Sequence, residues 1–344
     1  MNKIALILTG GTIGSVNTKH IIDVGTDTIY RLVSAYEEEY GEKNCFEVFS
    51  PFQCLSENFT KTEWQQLYDL LYDFPFEKYA GVVIAHGTDT LAYSAALIGM
   101  LFAYVSVPIV FVASNYPIGT PESNGVRNLR GAVEFIRGKV APGVFVAYEN
   151  QDREMEIHLA TRLLPADNVL DQYGSFGGPC LGVVKEDGVF SYNKWRNNPA
   201  IKLLQKQRPQ YFKEKISFTK DILYLTPYPG QNYESIALHK NIGAVYHYLY
   251  HAGTACVQNG SYSILDFMKS CQEENIPFYV ASLKAGNEDA YATGSEILQQ
   301  GAIPLYDIST VAGYMKVLIA YNQKEYKPEE ILGESLFFEN VTLL

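Results

Sequence analysis

Two short apolar runs, each ending in a turn rich in glycine and threonine, constrain this chain more than any other feature. Ile4-Ala5-Leu6-Ile7-Leu8 runs into Thr9-Gly10-Gly11-Thr12-Ile13-Gly14. Gly81-Val82-Val83-Ile84-Ala85 runs into His86-Gly87-Thr88-Asp89-Thr90. A run of about five apolar residues bounded by glycine reads as a buried parallel strand. In an α/β sheet the loops leaving the carboxyl ends of the strands are where ligands bind. Thr12, Thr88 and Asp89 are therefore expected at one crevice, two hydroxyls beside a carboxylate. That combination points to acyl transfer more than to phosphate binding. Neither G-x-G-x-x-G nor G-x-x-x-x-G-K-[ST] is present. Taken alone, the first turn fits a strand-to-helix connection with Thr12 as a cap. A capping threonine does not need His-Gly before it and Asp-Thr after it.

The surrounding sequence has the same organisation. Strand-like runs recur at 46–50, 82–85, 109–113 and 144–148, with helix-like segments at 62–72, 94–103 and 126–136 between them. Such alternation predicts a parallel sheet with crossover helices. Thr60 or Thr62 caps the first of these helices. Residues 193–218 are polar and basic, carry Pro199 and Pro209, and read as an inter-domain linker. A second alternating region starts at Asp221-Ile222-Leu223-Tyr224-Leu225 and continues through 243–245 and 278–281. The expected division is 1–192, a linker at 193–218, and 219–344.

Bulk properties exclude several classes. A net charge of −11 argues against a nucleic-acid backbone as partner. The 26 tyrosines come without a basic patch and fit cores and interfaces. Five widely spaced cysteines form no Cys-x-x-Cys pair, which suggests reduced thiols, no zinc ribbon and a cytoplasmic setting. No metal and no cofactor are expected. The N-terminal apolar run is too short for a signal peptide, and no stretch reaches the ~18 apolar residues of a membrane helix.

The two glycine-threonine turns, in this order, resemble the two signatures of the bacterial-type L-asparaginase/glutaminase family. The resemblance extends further along the chain. Leu55-Ser56-Glu57-Asn58 is similar to the family's substrate-binding serine loop. Ser123-Asn124-Gly125-Val126-Arg127-Asn128-Leu129 is similar to its Ser-Asp-Gly-x-x-Asn-Leu segment, and Tyr291-Ala292-Thr293-Gly294 to the end of its smaller domain. The resemblance implies a two-domain α/β fold, with a larger N-terminal parallel-sheet domain and a smaller C-terminal α/β domain. It also implies sites built at subunit interfaces, hence a homodimer or homotetramer. Its chemistry would make Thr12 the nucleophile and Thr88 and Asp89 members of a proton-handling triad. Ser56, Glu57 and Asp89 would grip the amino acid.

Three positions depart from the family pattern. Arg162, in Ala160-Thr161-Arg162, takes the place of the triad lysine. Arginine stays charged and cannot act as a base, although it can pair with Asp89 in a bidentate manner. The loop after Thr12 lacks the family tyrosine, leaving His20 or Tyr30 to substitute, or nothing. His251-Ala252-Gly253-Thr254-Ala255-Cys256 lacks the smaller domain's asparagine. Two readings follow. One is an amidohydrolase with L-asparagine as default substrate, or a substituted or peptide-linked amide, in which His20 or His158 serves as base. The other is a non-catalytic amino-acid-binding homologue. For His158 a place on a strand facing solvent is the simpler expectation.

Overall fold

The computed structural model describes residues 3–11, 13, 15–18, 21–24, 30–258, 260–286 and 291–341, with side chains for all but 15–18 and 21–24. The chain forms two compact units, Met1–Lys213 with Leu336–Phe338, and Glu214–Ser335 with Glu339–Leu344. Among the described residues, no helix is long and apolar enough to cross a membrane.

The first unit holds β1 (Ile4–Leu8), β2 (Ser15–Thr18), β3 (Ile21–Val24), β4 (Phe46–Phe49), β5 (Val82–Ala85), β6 (Pro108–Val112), β7 (Gly143–Glu149), β8 (Met155–Leu159), β9 (Gly182–Val184) and β10 (Phe190–Tyr192). Eight of these strands make one sheet, in the order β10-β9-β8-β7-β6-β5-β1-β4. β4, β1, β5, β6 and β7 run parallel, and all five residues of β1 are buried. Burial on both faces is what lets such strands be apolar throughout. From β7 onward the pairings are antiparallel, so the larger sheet joins the expected parallel part to an antiparallel flank. β2 and β3 form a separate hairpin that the sequence reading did not anticipate. The chain goes from β1 to β4 on one side and then to β5 on the other. The strand order thus reverses at β1/β5, the position where open sheets leave a crevice.

Helices α1 (Arg31–Tyr40), α2 (Lys61–Tyr72), α3 (Leu91–Leu101), α4 (Gly125–Arg137) and the short α5 (Ile201–Leu204) belong to the same unit. Thr60 caps α2, and Glu63 completes a capping box by accepting from the Thr60 N–H at 2.7 Å. Ten of the eleven residues of α3 are buried, because the turn Ala160–Arg162 covers it at Gly99. Residues 336–338 close this unit. Phe337 is 1% exposed, its ring meets Phe145 edge-on, and its carbonyl accepts from Thr161 Oγ1 at 2.6 Å. Residues 193–213, polar as the sequence reading noted, also lie in this unit.

The second unit is a four-stranded parallel sheet in sequential order, β11 (Asp221–Leu225), β12 (Ile242–Tyr248), β13 (Phe278–Leu283) and β14 (Ile303–Tyr306). It carries α6 (Ile264–Glu273), α7 (Ala292–Gln299), α8 (Thr310–Asn322) and α9 (Pro328–Gly333). Val245, Phe267, Met268, Phe278 and Val280 form its core. His247 is buried there with Nε2 2.8 Å from the Tyr233 hydroxyl.

Candidate active site

The carboxyl ends of β1 and β5 are fastened together. The Thr9 N–H and Oγ1 both donate to the Ala85 carbonyl, at 3.1 and 3.0 Å. Beyond that point the two turns touch through glycine. Gly11 has φ +76°, and a Cβ on it would lie 2.3 Å from Gly87 Cα. A Cβ on Gly87 would lie 2.5 Å from Ser56 Cβ and Oγ. Only residues without side chains let the two turns and the Ser56 side chain approach this closely. The segment before Ser56 is anchored as well, with Cys54 N–H donating to the Thr9 carbonyl at 3.0 Å and Gly11 N–H to the Cys54 carbonyl at 3.1 Å.

Ser56 starts a 3-10 turn, Ser56–Asn58, and is 3% exposed. Its hydroxyl donates to Asp89 Oδ2 at 3.1 Å and accepts from the Asp89 N–H at 3.3 Å. Thr90 Oγ1 donates to the Ser56 carbonyl at 3.0 Å. Serine loop and second turn are thus one hydrogen-bonded piece. The Asp89 side chain is exposed, Thr88 is half-buried, and Glu57 is exposed next to Ser56. α3 begins just past Asp89 without a side-chain cap. Its first backbone N–H groups therefore favour an anion. Thr12 lies outside the described residues, as does His20, while Tyr30 is exposed at the start of α1.

Other expected residues are held elsewhere. The pairing of Arg162 with Asp89 is not formed. Arg162 is 5% exposed, and its Nε donates to the Phe338 carbonyl at 2.6 Å and its Nη1 to the Asn197 carbonyl. The physical reason is position. Thr161 and Ala160 pack on Gly99, nine residues past Thr90 and so roughly 13 Å along α3. His158 does not face solvent. It is fully buried on β8, with Nδ1 2.9 Å from Ser175 Oγ and Nε2 3.2 Å from Glu156 Oε2. The contact with Glu156 is close enough for attraction, yet poorly aligned for a hydrogen bond.

His86 is also fully buried, between the rings of Phe59 and Phe111. Its Nδ1 lies 2.9 Å from the Gly87 carbonyl. A carbonyl only accepts, so Nδ1 carries the proton and Nε2 is left without a hydrogen-bond partner. Burial lowers its pKa from 6.5 to about 4, only partly opposed by the Gly87 bond. His86 is therefore a neutral strut under the turn.

The Ser123–Leu129 segment secures the neighbouring strand ends. Asn124 Nδ2 donates to the Glu149 carbonyl at 3.0 Å, and Asn128 Nδ2 to the Ala113 carbonyl at 2.9 Å. A residue that sequence reasoning missed also reaches the site. The Tyr173 hydroxyl donates to the Thr88 carbonyl at 2.8 Å. Nothing in Asp171-Gln172-Tyr173-Gly174 distinguishes it from the chain's other tyrosines. A cavity of about 1010 Å³ opens beside Ile4, Cys45, Val107 and Pro108, at the opposite ends of the strands. It has no part in this cluster.

Comparison with known proteins agrees with this geometry. The family model described as Asparaginase, N-terminal matches residues 3–196. The L-asparaginase of Thermococcus kodakarensis is 30% identical over 197 residues, which is 56% of this chain and 57% of that protein. A glutamyl-tRNA(Gln) amidotransferase subunit from Methanothermobacter thermautotrophicus is 24% identical over 351 residues, covering 96% of this chain and 76% of the relative. The solved structure of the thermostable L-asparaginase from Thermococcus kodakarensis superposes with a TM-score of 0.74 at 22% identity. That match covers 98% of this chain and 99% of the other, and it establishes the fold.

Proposed function

The chain belongs to the asparaginase family of amidohydrolases, and we propose that it hydrolyses a small side-chain amide, L-asparagine by default, with Thr12 as nucleophile. The observation that carries the proposal is the Ser56–Asp89 clamp set against the Gly11–Gly87 contact. The clamp offers what an amino acid's two charged groups need. The Asp89 carboxylate receives the α-ammonium, Ser56 receives the α-carboxylate, and Glu57 stands beside the entrance. Thr12 follows Gly11 directly and attacks the amide carbon, forming an acyl-enzyme that water then hydrolyses. Thr88 takes part in the proton transfers. The uncapped start of α3 favours the developing oxyanion. Arg162 supplies no base. With no lysine at that position, turnover of plain L-asparagine is expected to be slow.

A second reading rests on coverage. The amidotransferase relatives match along nearly the whole chain, the L-asparaginase relative along about half. This favours an amide carried on a larger or substituted molecule. We propose a homodimer or homotetramer working in the cytoplasm. The deciding experiment is ammonia release across L-asparagine, L-glutamine and N-substituted or peptide-linked amides, with wild type and Thr12→Ala. Turnover of at least one amide, abolished in Thr12→Ala, is expected. Equal rates in the two proteins would overturn the nucleophile, and no ammonia from any amide would favour the non-catalytic binding homologue.

A further inference from the structure

Tyr173 is 4% exposed and is set in place from both sides. Its backbone N–H donates to Asn150 Oδ1 at 3.0 Å, and Asn150 Nδ2 donates to its carbonyl at 3.0 Å. Its ring packs edge-on against Tyr148, centroids 4.7 Å apart. What remains is the hydroxyl, aimed at the Thr88 carbonyl.

That carbonyl belongs to the Thr88–Asp89 peptide, whose other end is the Asp89 N–H. The contacts join into a chain with one direction. Tyr173 O–H donates to the Thr88 carbonyl, the Asp89 N–H donates to Ser56 Oγ, and Ser56 O–H donates to Asp89 Oδ2. The first two directions are fixed because a carbonyl only accepts and an amide N–H only donates. Ser56 already accepts from the Asp89 N–H, so its own proton goes to the carboxylate. Linked bonds of this kind polarise one another. We propose that Tyr173 is a positioning residue for amino-acid binding, holding the Thr88–Asp89 peptide so that Ser56 and Asp89 stay aligned on the substrate's carboxylate and ammonium.

The inference rests on the proposed reading of Ser56 and Asp89 as the amino-acid grip. Tyr173 stays outside the substrate's reach. Burial, together with the nearby Tyr148 and the Asp89 carboxylate, pushes its pKa well above the ordinary tyrosine value, so the hydroxyl remains a donor throughout the working range. Removing it leaves the Thr88 carbonyl with a long contact of 3.4 Å from the Leu91 N–H. The peptide is then less constrained to face Ser56.

The test is Tyr173→Phe, which deletes only the hydroxyl. The probe is L-aspartate, the product of the default reaction, titrated calorimetrically, alongside KM and kcat on the best amide. Loss of one neutral hydrogen bond should raise Kd and KM ~3–10-fold, with kcat changed by less than about twofold. In a Ser56→Ala background the same substitution should change Kd by less than about twofold, because the chain is already cut. Tyr148→Phe removes the neighbouring hydroxyl, bonded to the Asp171 carbonyl at 3.2 Å, and should leave Kd unchanged. Unchanged binding in Tyr173→Phe, additive effects with Ser56→Ala, or an equal effect of Tyr148→Phe would overturn the inference. Wild type that binds L-aspartate but releases no ammonia sinks the catalytic reading alone. Wild type that does not bind L-aspartate sinks both.

Discussion

His86 makes the protein acid-sensitive, by an amount that follows from its burial. A proton on Nε2 would be a buried charge whose N–H has no acceptor among the described residues. The folded-state pKa is about 4, against 6.5 for the free side chain. Because the folded value is depressed, the unfolded chain takes up the proton first. Stability is therefore intact above pH 6.5 and falls as pH drops toward 4. At 1.36 kcal/mol per unit, going from pH 7 to pH 4.5 removes about 2 kcal/mol through this group. His86→Asn keeps a donor where Nδ1 stands and removes the titration. Its lost ring contacts lower stability at every pH, so the pH slope is the quantity to compare. Trp64 and Trp195, the only tryptophans, both lie in the first unit with His86. Tryptophan fluorescence in urea thus reads the right part of the molecule. Wild type should lose about 2 kcal/mol more than His86→Asn over this interval, roughly 1 M urea in midpoint. His247, also lowered to about 4 by burial, is common to both proteins and cancels. Equal losses within ~0.5 kcal/mol, well below the predicted difference, would show that His86 is not buried neutral.

Two further outcomes are expected. Gly87→Ala forces a Cβ into Ser56; it should lower stability by ~1–3 kcal/mol and raise KM while circular dichroism stays unchanged. Unaltered KM would show that the turn and the serine loop move independently. In the second unit, Lys316 Nζ lies 2.8 Å from Glu339 Oε1 and both side chains are at most 1% exposed. Lys316→Met alone should destabilise by ~3–5 kcal/mol, and Lys316→Met with Glu339→Leu by much less; thermal unfolding of the two variants decides it, and equal losses refute the pairing argument.

The strand-end motifs were readable because β1 and β5 are buried on both faces, so their residues are apolar without interruption. The antiparallel part of the sheet gives a weaker signal. β9 and β10 are three residues each, and β8 carries Glu156 and His158 among its apolar residues. The polar composition after Phe190 reads as linker because its hydrogen bonds are invisible in sequence. Asn193, Asn197 and Asn198 donate to the carbonyls of Cys180, Gly177 and Cys180. Ser56 and Asp89 stand out through their motifs, and a hydrogen bond joins them. Tyr173 does not stand out, since its role depends on a hydroxyl meeting a carbonyl 85 positions away. Arg162 was placed beside Asp89 by local resemblance, whereas its partners come from residues 197 and 338, far along the chain.

The three-residue return of the chain at 336–338 has a consequence for biosynthesis. The first unit ends its continuous stretch at Lys213, but its Phe337 plug and the carbonyls that satisfy Thr161 and Arg162 arrive only at residue 336 and beyond. The intervening stretch, Glu214–Ser335, is 122 residues long. At ~5–20 residues per second the ribosome takes roughly 6–25 s to supply them. Through that interval the nascent first unit holds an open apolar slot at Gly143 and Phe145, and its folding cannot finish in the order in which it is made.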